Sequence, residues 1–240
     1  MLASLLKESN YTVVLTGAGM STESGLPDFR SSSNGMWKDV NPLELATTEA
    51  IEHNREAFVS FYRSRMEQLE KYKPHEGYHI LKKWADDGLV QSVITQNVDG
   101  FHAASGITDA AELHGSLRKC HCHSCGKEYP GYTFLEDDHL ACSCGGFIRP
   151  SVVLFGEMLP EEAIVQAERE TEKAELFIVL GSSLQVSPAN FFPEMAKNNG
   201  AKLAIVNMEP TPLDPISDVI IKDRKIGDVL AEADRILNDG

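Results

Sequence analysis

Four apolar runs recur along the chain, and each ends in small or polar residues. Thr12-Val13-Val14-Leu15 runs into Thr16-Gly17, and Ser92-Val93-Ile94 into Thr95-Gln96-Asn97. Leu176 to Leu180 precedes Gly181-Ser182-Ser183, and Leu203 to Val206 precedes Asn207. Runs this short without polar alternation fit strands covered on both faces. Val152 to Phe155 reads as one more buried strand. Between the runs lie stretches of helical character, Pro160 to Lys173 and Phe191 to Asn198, and Asp228 to Leu237 reads as a closing amphipathic helix. Strands alternating with helices predict an α/β fold whose parallel sheet carries helices on both faces. Ligands of such sheets bind outside the carboxyl ends of the strands. The polar residues after each run are placed there.

Two segments break this alternation. From Phe29 to about Lys73 the chain is helical in character, with Glu56 to Leu69 the clearest helix and no strand candidate. Lys119 to Ile148 is rich in Cys, Gly and His and poor in apolar residues. Both read as insertions that form one smaller module beside the sheet. The expected division is a discontinuous sheet domain, residues 1–29, 76–118 and 149–240, and a small helical and cysteine-rich module, residues 30–75 and 119–148.

Composition narrows the partners. The 240 residues suit one large domain or a core with an insertion, and 42% hydrophobic with 24% charged residues is ordinary for a soluble globular protein. The net charge of −14, from 36 acidic against 22 basic residues, argues against general nucleic-acid or anionic-membrane binding. It suits cationic peptide segments as substrates. Met1 to Asn10 lacks a basic start followed by a long apolar run, and no stretch approaches the roughly 20 apolar residues of a membrane helix. A cytoplasmic protein, expected to be a monomer, is the default.

Three constellations carry chemistry. Gly17-Ala18-Gly19 follows the first strand, with Ser21 and Thr22 as helix-capping hydroxyls. Glycines there let backbone approach a phosphate, and free amides at a helix start favour anions. The spacing departs from the dinucleotide fingerprint, since Thr22 stands at the third glycine position and no acidic residue ends a second strand about 20 residues on. An ordinary dehydrogenase is disfavoured, and the turn alone is equally consistent with a structural role. The second constellation is His114, followed by Gly115 and preceded by Leu113, an imidazole at a tight turn that can take a proton near neutral pH. The third is Cys122-x2-Cys125, sixteen residues, then Cys142-x-Cys144. All five cysteines lie between Cys120 and Cys144, an odd clustered set that reads as a metal site in a reducing compartment. Four thiolates leave zinc no open position, so the metal is expected to be structural. Cys120, His121 and His123 are spare ligands.

The run Gly17-Ala18-Gly19-Met20-Ser21-Thr22-Glu23-Ser24-Gly25-Leu26-Pro27-Asp28-Phe29-Arg30 closely resembles the nucleotide-binding signature of the sirtuins. So do Thr95-Gln96-Asn97-Val98-Asp99-Gly100-Phe101-His102 and Glu112-Leu113-His114-Gly115-Ser116. Arg149-Pro150 to Phe155-Gly156-Glu157, Gly181-Ser182-Ser183-Leu184 and Val206-Asn207 agree in order. The resemblance, to the bacterial and archaeal type, spans about residue 10 to about residue 230. It implies a Rossmann-like domain with a zinc-ribbon module, and NAD-dependent removal of acyl groups from protein lysines. The products would be nicotinamide, O-acyl-ADP-ribose and free lysine. By resemblance, His114 is the general base. Gly17, Ala18, Gly19, Asp28, Phe29 and Arg30 surround the cofactor, with Phe29 shielding the reacting carbon from water. Gln96, Asn97 and Asp99 form the nicotinamide and ribose pocket. Gly181, Ser182 and Ser183 hold phosphate and ribose, and Asn207 with Glu209 the adenosine ribose. His102 is expected to be structural. The eight residues from His114 to Cys122 favour Cys122 as the first zinc ligand, although the C-x-C second pair is tighter than the family's usual spacing.

The same resemblance places Val153, Phe155 and Gly156 along an acyl-lysine tunnel, with Val186 on the opposing strand of a peptide clamp. Tyr62 and Arg65 share one helix face. With Ala46 they look like the residues of sirtuins that prefer succinyl or malonyl groups, the arginine holding the distal carboxylate. A solvated charged helix face is the plain alternative. A mono-ADP-ribosyltransferase using the same pocket is the alternative activity. A zinc hydrolase is disfavoured because no HExxH motif is present. A zinc-ribbon binding module is disfavoured by the acidic charge.

Overall fold

The computed structural model describes residues 1–27, 45–136 and 139–239. Strands β1 (Thr12–Thr16), β2 (Ser92–Thr95), β3 (Ala111–Glu112), β7 (Leu176–Leu180), β8 (Lys202–Val206) and β9 (Val219–Ile221) form a parallel sheet in the order β3-β2-β1-β7-β8-β9. All four apolar runs are strands of it. β1 and β7 are buried at every position, which is why their sequence shows no alternation.

The pleat divides the apolar residues between two cores. Val14, Ile178, Leu180, Ala204 and Val206 face one layer, with α1 (Leu2–Glu8), α4 (Glu76–Asp86) and α9 (Ile226–Asn238). Val13, Leu15, Phe177, Val179, Leu203 and Ile205 face the other, with α7 (Glu161–Lys173) and α8 (Phe191–Asn198). Between β1 and β7 the direction of strand addition reverses, which opens a crevice at their carboxyl ends.

A second, antiparallel sheet has the order β5-β4-β6: β4 (Gly115–Cys122), β5 (Glu128–Pro130) and β6 (Ile148–Val152). Beside it stand α2 (Thr48–His53), α3 (Arg55–Leu69) and α6 (Thr133–Glu136); α5 (Phe101–Ala104) follows β2. Helix α2 is capped by Thr47, whose side chain accepts the Ala50 amide. Phe58, Tyr62, Met66 and Leu69 recur at helical spacing along α3 and are all buried.

Two sequence expectations need correction. Val152 to Phe155 is not a strand of its own: Val152 ends β6 and the residues after it leave the ladder. The ladder of β6 stops at Val152, because the Val153 amide donates to the His114 carbonyl and the Phe155 amide to the Ala46 carbonyl, on different elements. The glycine loop does not open an α-helix but a 3-10 turn, Ala18–Ser24.

Candidate active site

The crevice is built from two interlocked glycine loops. The Gly17 amide donates to the Leu180 carbonyl and the Gly19 amide to the Gly181 carbonyl, at 3.0 and 2.9 Å. A Cβ on Gly17 would lie 2.7 Å from the Gly181 oxygen, and one on Gly181 would lie 2.3 Å from the Met20 nitrogen. The glycines therefore serve a loop-to-loop approach, and two of the amides expected to be free for an anion are already bonded. Ser21 and Thr22 do not cap a helix. The Thr22 hydroxyl donates to the Gly19 carbonyl, and Ser21 points inward.

Ser21 organises a buried cluster from the turn after β1, the loop after β2 and α4. Its hydroxyl donates to Asp99 Oδ2 at 2.6 Å. Having given its one proton, Ser21 Oγ accepts from the Tyr78 hydroxyl at 2.7 Å and from Asn97 Nδ2 at 3.2 Å. Asn97 Nδ2 also donates to the Gly17 carbonyl at 2.9 Å, which leaves no free amide proton and fixes the side-chain orientation. The Phe101 amide donates to Asp99 Oδ1. Burial pushes the Asp99 carboxyl upward, while Ser21, the Phe101 amide, Arg118 and Arg65 pull it down. Burial, followed by the Asp99 charge, raises the Tyr78 hydroxyl. Tyr78 escaped the sequence reading because an aromatic on the apolar face of a helix reads as core. A buried tyrosine hydroxyl needs a polar partner, and this was the available signal.

His114 stands in the turn between β3 and β4. Its Nδ1–H donates to the Gln96 carbonyl at 2.9 Å, which leaves Nε2 as the acceptor nitrogen. Burial lowers the imidazole pKa, and the Gln96 carbonyl opposes that shift. Gly115 beside it has φ +72°, and a Cβ there would sit 2.0 Å from the Ser151 oxygen. Gln96 Nε2 donates to Ser182 Oγ at 2.8 Å, joining the ends of β2 and β7. Ser183 follows on the same loop, half-buried. Asn207 Nδ2 donates to the Glu209 carbonyl at the end of β8. The site therefore gathers Gly17, Ala18, Gly19, Gln96, Asn97, Asp99, His114, Gly181, Ser182 and Ser183. Asn207 and Glu209 follow the neighbouring strand end. Asp28, Phe29 and Arg30 lie outside the described residues. His102 is buried against Thr16, 2.8 Å from its hydroxyl, and its pKa is pushed down to about 3 by burial.

Beyond His114 the chain continues into the proposed acyl end. Thr47 and Phe155 form an isolated parallel bridge, so Ala46 and Phe155 are neighbours. Gly156 has φ +90° and Phe155 is half-exposed. Val186 lies in an irregular segment, so the clamp expected from two strands has no regular strand on either side. Tyr62 is buried, and the Arg65 guanidinium lies 5.7 Å from its ring centre and 5.5 Å from that of Phe61. Among the described residues no carboxylate is in ion-pair contact with Arg65, and the Asp99 charge acts on it from further away.

Cys122, Cys125, Cys142 and Cys144 bring four sulfurs within 4.8 Å of one another. The Cys122–Cys144 and Cys125–Cys142 separations are 3.5 and 3.7 Å. A tetrahedron with Zn–S bonds of about 2.3 Å has edges of roughly 3.8 Å, so the donor set fits one closed zinc site. The Cys144 amide and then the Tyr129 hydroxyl hold the Cys142 thiol below its ordinary range. Cys120 is outside the cluster. It is buried, its thiol faces the Gly131 carbonyl, and burial raises its pKa to about 11.

The comparisons agree with this geometry. The Sir2 family model matches residues 17–188. An NAD-dependent protein deacetylase of Oceanobacillus iheyensis is 55% identical over 240 residues, all of both chains. A Sir2 homologue mutant solved with ADP ribose has a TM-score of 0.94 at 37% identity, covering 99% of this chain and 96% of its own. A Sir2 mutant solved with a deacetylated p53 peptide and 3'-O-acetyl ADP ribose has a TM-score of 0.88 at 36% identity, covering 100% of this chain and 97% of its own. With the match running from the first glycine loop past the second, and crossing both sheets, the chain belongs to the Sir2 family.

Proposed function

We propose that the protein is an NAD-dependent protein-lysine deacylase in which His114 is the general base. The observation that carries the reading is the Nδ1–H bond from His114 to the Gln96 carbonyl, which commits Nε2 to accept a proton beside the crevice. NAD, when bound, supplies the ribose carbon that receives the acyl oxygen as nicotinamide leaves. Ser182, Ser183, Asn207 and Glu209 are the residues we assign to its phosphates and riboses. Asn97 and Asp99, oriented by Ser21, are assigned to the nicotinamide end. His114 Nε2 would take the proton of a ribose hydroxyl and so prepare that hydroxyl to receive the acyl group; the proton would pass to the departing lysine amine, and one water would balance the products. A closed zinc site of four cysteines would stiffen the β4–β6 module and supply no chemistry.

The acyl-lysine is assigned to the wall made by Ala46, Val153, Phe155, Gly156 and Val186. The substrate main chain would add there as a strand. One observation favours acidic acyl groups as well as acetyl. Arg65 is half-buried over two aromatic rings, with the Asp99 charge acting on it but no described carboxylate in direct ion-pair contact, a contact that a succinyl or malonyl carboxylate would supply.

Mass spectrometry of the products from acetyl and succinyl peptides, with and without NAD, tests both readings. The expected products are free lysine peptide, nicotinamide and O-acyl-ADP-ribose. ADP-ribose attached to protein would instead identify a mono-ADP-ribosyltransferase. Arg65→Met should abolish turnover of the succinyl peptide and spare that of the acetyl peptide. An equal loss on both would remove the carboxylate assignment.

A further inference from the structure

The segment 153–156 carries its candidate role without belonging to a strand, so something other than a ladder must fix its shape. Its amides point to different walls. Val153 donates to the carbonyl of His114 at 3.0 Å and Phe155 to that of Ala46 at 2.8 Å. The segment, itself part of the proposed acyl wall, is thus suspended between His114 and Ala46. Directly after it, Glu157 folds back. One carboxylate oxygen, Oε2, accepts the Leu154 amide at 2.8 Å and Arg149 Nη2 at 2.8 Å. The Glu157 amide closes the loop by donating to the Leu154 carbonyl at 3.0 Å.

Arg149 is anchored from below. It sits on β6 with a side chain only 5% exposed, and its Nε donates to His121 Nε2 on β4 at 3.1 Å. The guanidinium therefore spans two strands of the small sheet and the loop that leaves it. A partly buried carboxylate on a buried guanidinium is held more firmly than an exposed pair, and removing one partner strands the other. The pair is also local. β6 ends before the loop begins, so loosening the loop leaves the strand pairing intact.

We propose that Arg149 and Glu157 are a positioning pair, which presets the main chain of residues 153–156 to receive the backbone of an acylated peptide. The proposal rests on the deacylase reading. Strand addition needs amides and carbonyls held at a fixed spacing, and a loop ordered beforehand binds without the entropy cost of ordering it. The pair touches neither the interlocked glycine loops nor the Ser21 cluster, so its effect should fall on the peptide and spare NAD.

Glu157→Gln isolates the charge, because a glutamine oxygen can still accept the Leu154 amide. The expected result is a peptide KM raised roughly tenfold, equivalent to about 1.4 kcal/mol, with kcat and the NAD KM within about twofold of wild type. Arg149→Lys keeps a positive charge but loses the fork, and should raise the peptide KM in the same direction. Metal content and thermal midpoint, measured alongside, separate positioning from folding. A lowered midpoint with kcat and both KM values disturbed together would assign the pair a merely structural role and overturn the proposal. An unchanged peptide KM in a folded Glu157→Gln protein would also overturn it. Wild-type protein unable to deacylate any peptide with NAD would overturn the deacylase reading itself, and the pair's role with it.

Discussion

His114 Nδ1 and the carbonyl oxygen of Gln96 stand 2.9 Å apart, a bond between the turn after β3 and the end of β2. A backbone carbonyl cannot donate, so this contact selects the tautomer with the proton on Nδ1. Burial lowers the imidazole pKa, which keeps the ring neutral, and hence able to accept a proton, to a lower pH than an exposed histidine. The acid limb of kcat/KM should therefore lie below about 6.5, with activity falling as pH drops through the lowered value. His114→Ala should cut kcat by about 10²–10⁴-fold while NAD affinity changes little. A variant with full turnover would end the assignment of His114 as base.

The sheet and the residues around His114 were legible in the sequence for a physical reason. Fully buried parallel strands leave unbroken apolar runs, and their polar ends fall where the crevice forms. The less legible parts are set by contacts distant in sequence. Tyr78 is 57 residues from Ser21, and the role of Gly17 is set by Gly181 across the crevice. Val152 to Phe155 was apolar enough to mimic a strand, but its amides are claimed by His114 and Ala46. Only the fold decides such competition.

The Ser21 cluster gives a graded expectation. Tyr78→Phe removes one donor and leaves Ser21 still bonded to Asn97, so the loss should be about 1 kcal/mol. Ser21→Ala strands both the Tyr78 hydroxyl and Asp99 Oδ2 in a buried site, and should cost more, about 2–4 kcal/mol. Urea midpoints of the two variants check the order, and equal losses would show that Ser21 is not the hub.

Asp99 adds a pH signature with a defined sign. Its folded pKa is raised, so the folded state binds the proton more tightly than the unfolded chain. Its contribution therefore becomes unfavourable as pH rises from about 4, the ordinary carboxylate value, through the folded value. Asp99→Asn should remove that component, so the stability of the variant relative to wild type should improve from about pH 4 towards pH 7. Urea midpoints measured at several pH values report it. A difference independent of pH would mean that Asp99 is not raised.

The cysteines divide by geometry into four and one. Cys142→Ser breaks the cluster that the sulfur separations define, and should abolish binding of one zinc per chain and lower the thermal midpoint. Cys120→Ala removes a buried thiol outside the cluster and should leave zinc stoichiometry at one. Atomic absorption on both purified variants separates the two outcomes. Loss of zinc from the Cys120 variant would show that the fifth cysteine takes part.

Gly115 offers the sharpest test of how the active site is held against the small sheet. It begins β4 directly after His114, with φ +72°, and a Cβ there would lie 2.0 Å from the Ser151 carbonyl oxygen on β6. That neighbour is backbone paired in the β4–β6 ladder, so it cannot swing aside as a side chain would. Gly115→Ala incurs both a left-handed backbone penalty of about 1–2 kcal/mol and a backbone clash. The loss should therefore exceed about 2 kcal/mol, and His114, one residue away, should shift with it. Gly126, also left-handed at φ +72° but with no described atom within 4 Å of its Cβ, is the control. Gly126→Ala should show the conformational penalty alone and keep full activity. If the two alanine variants lose equal stability and both retain turnover, the close approach of Gly115 to Ser151 does not position the histidine.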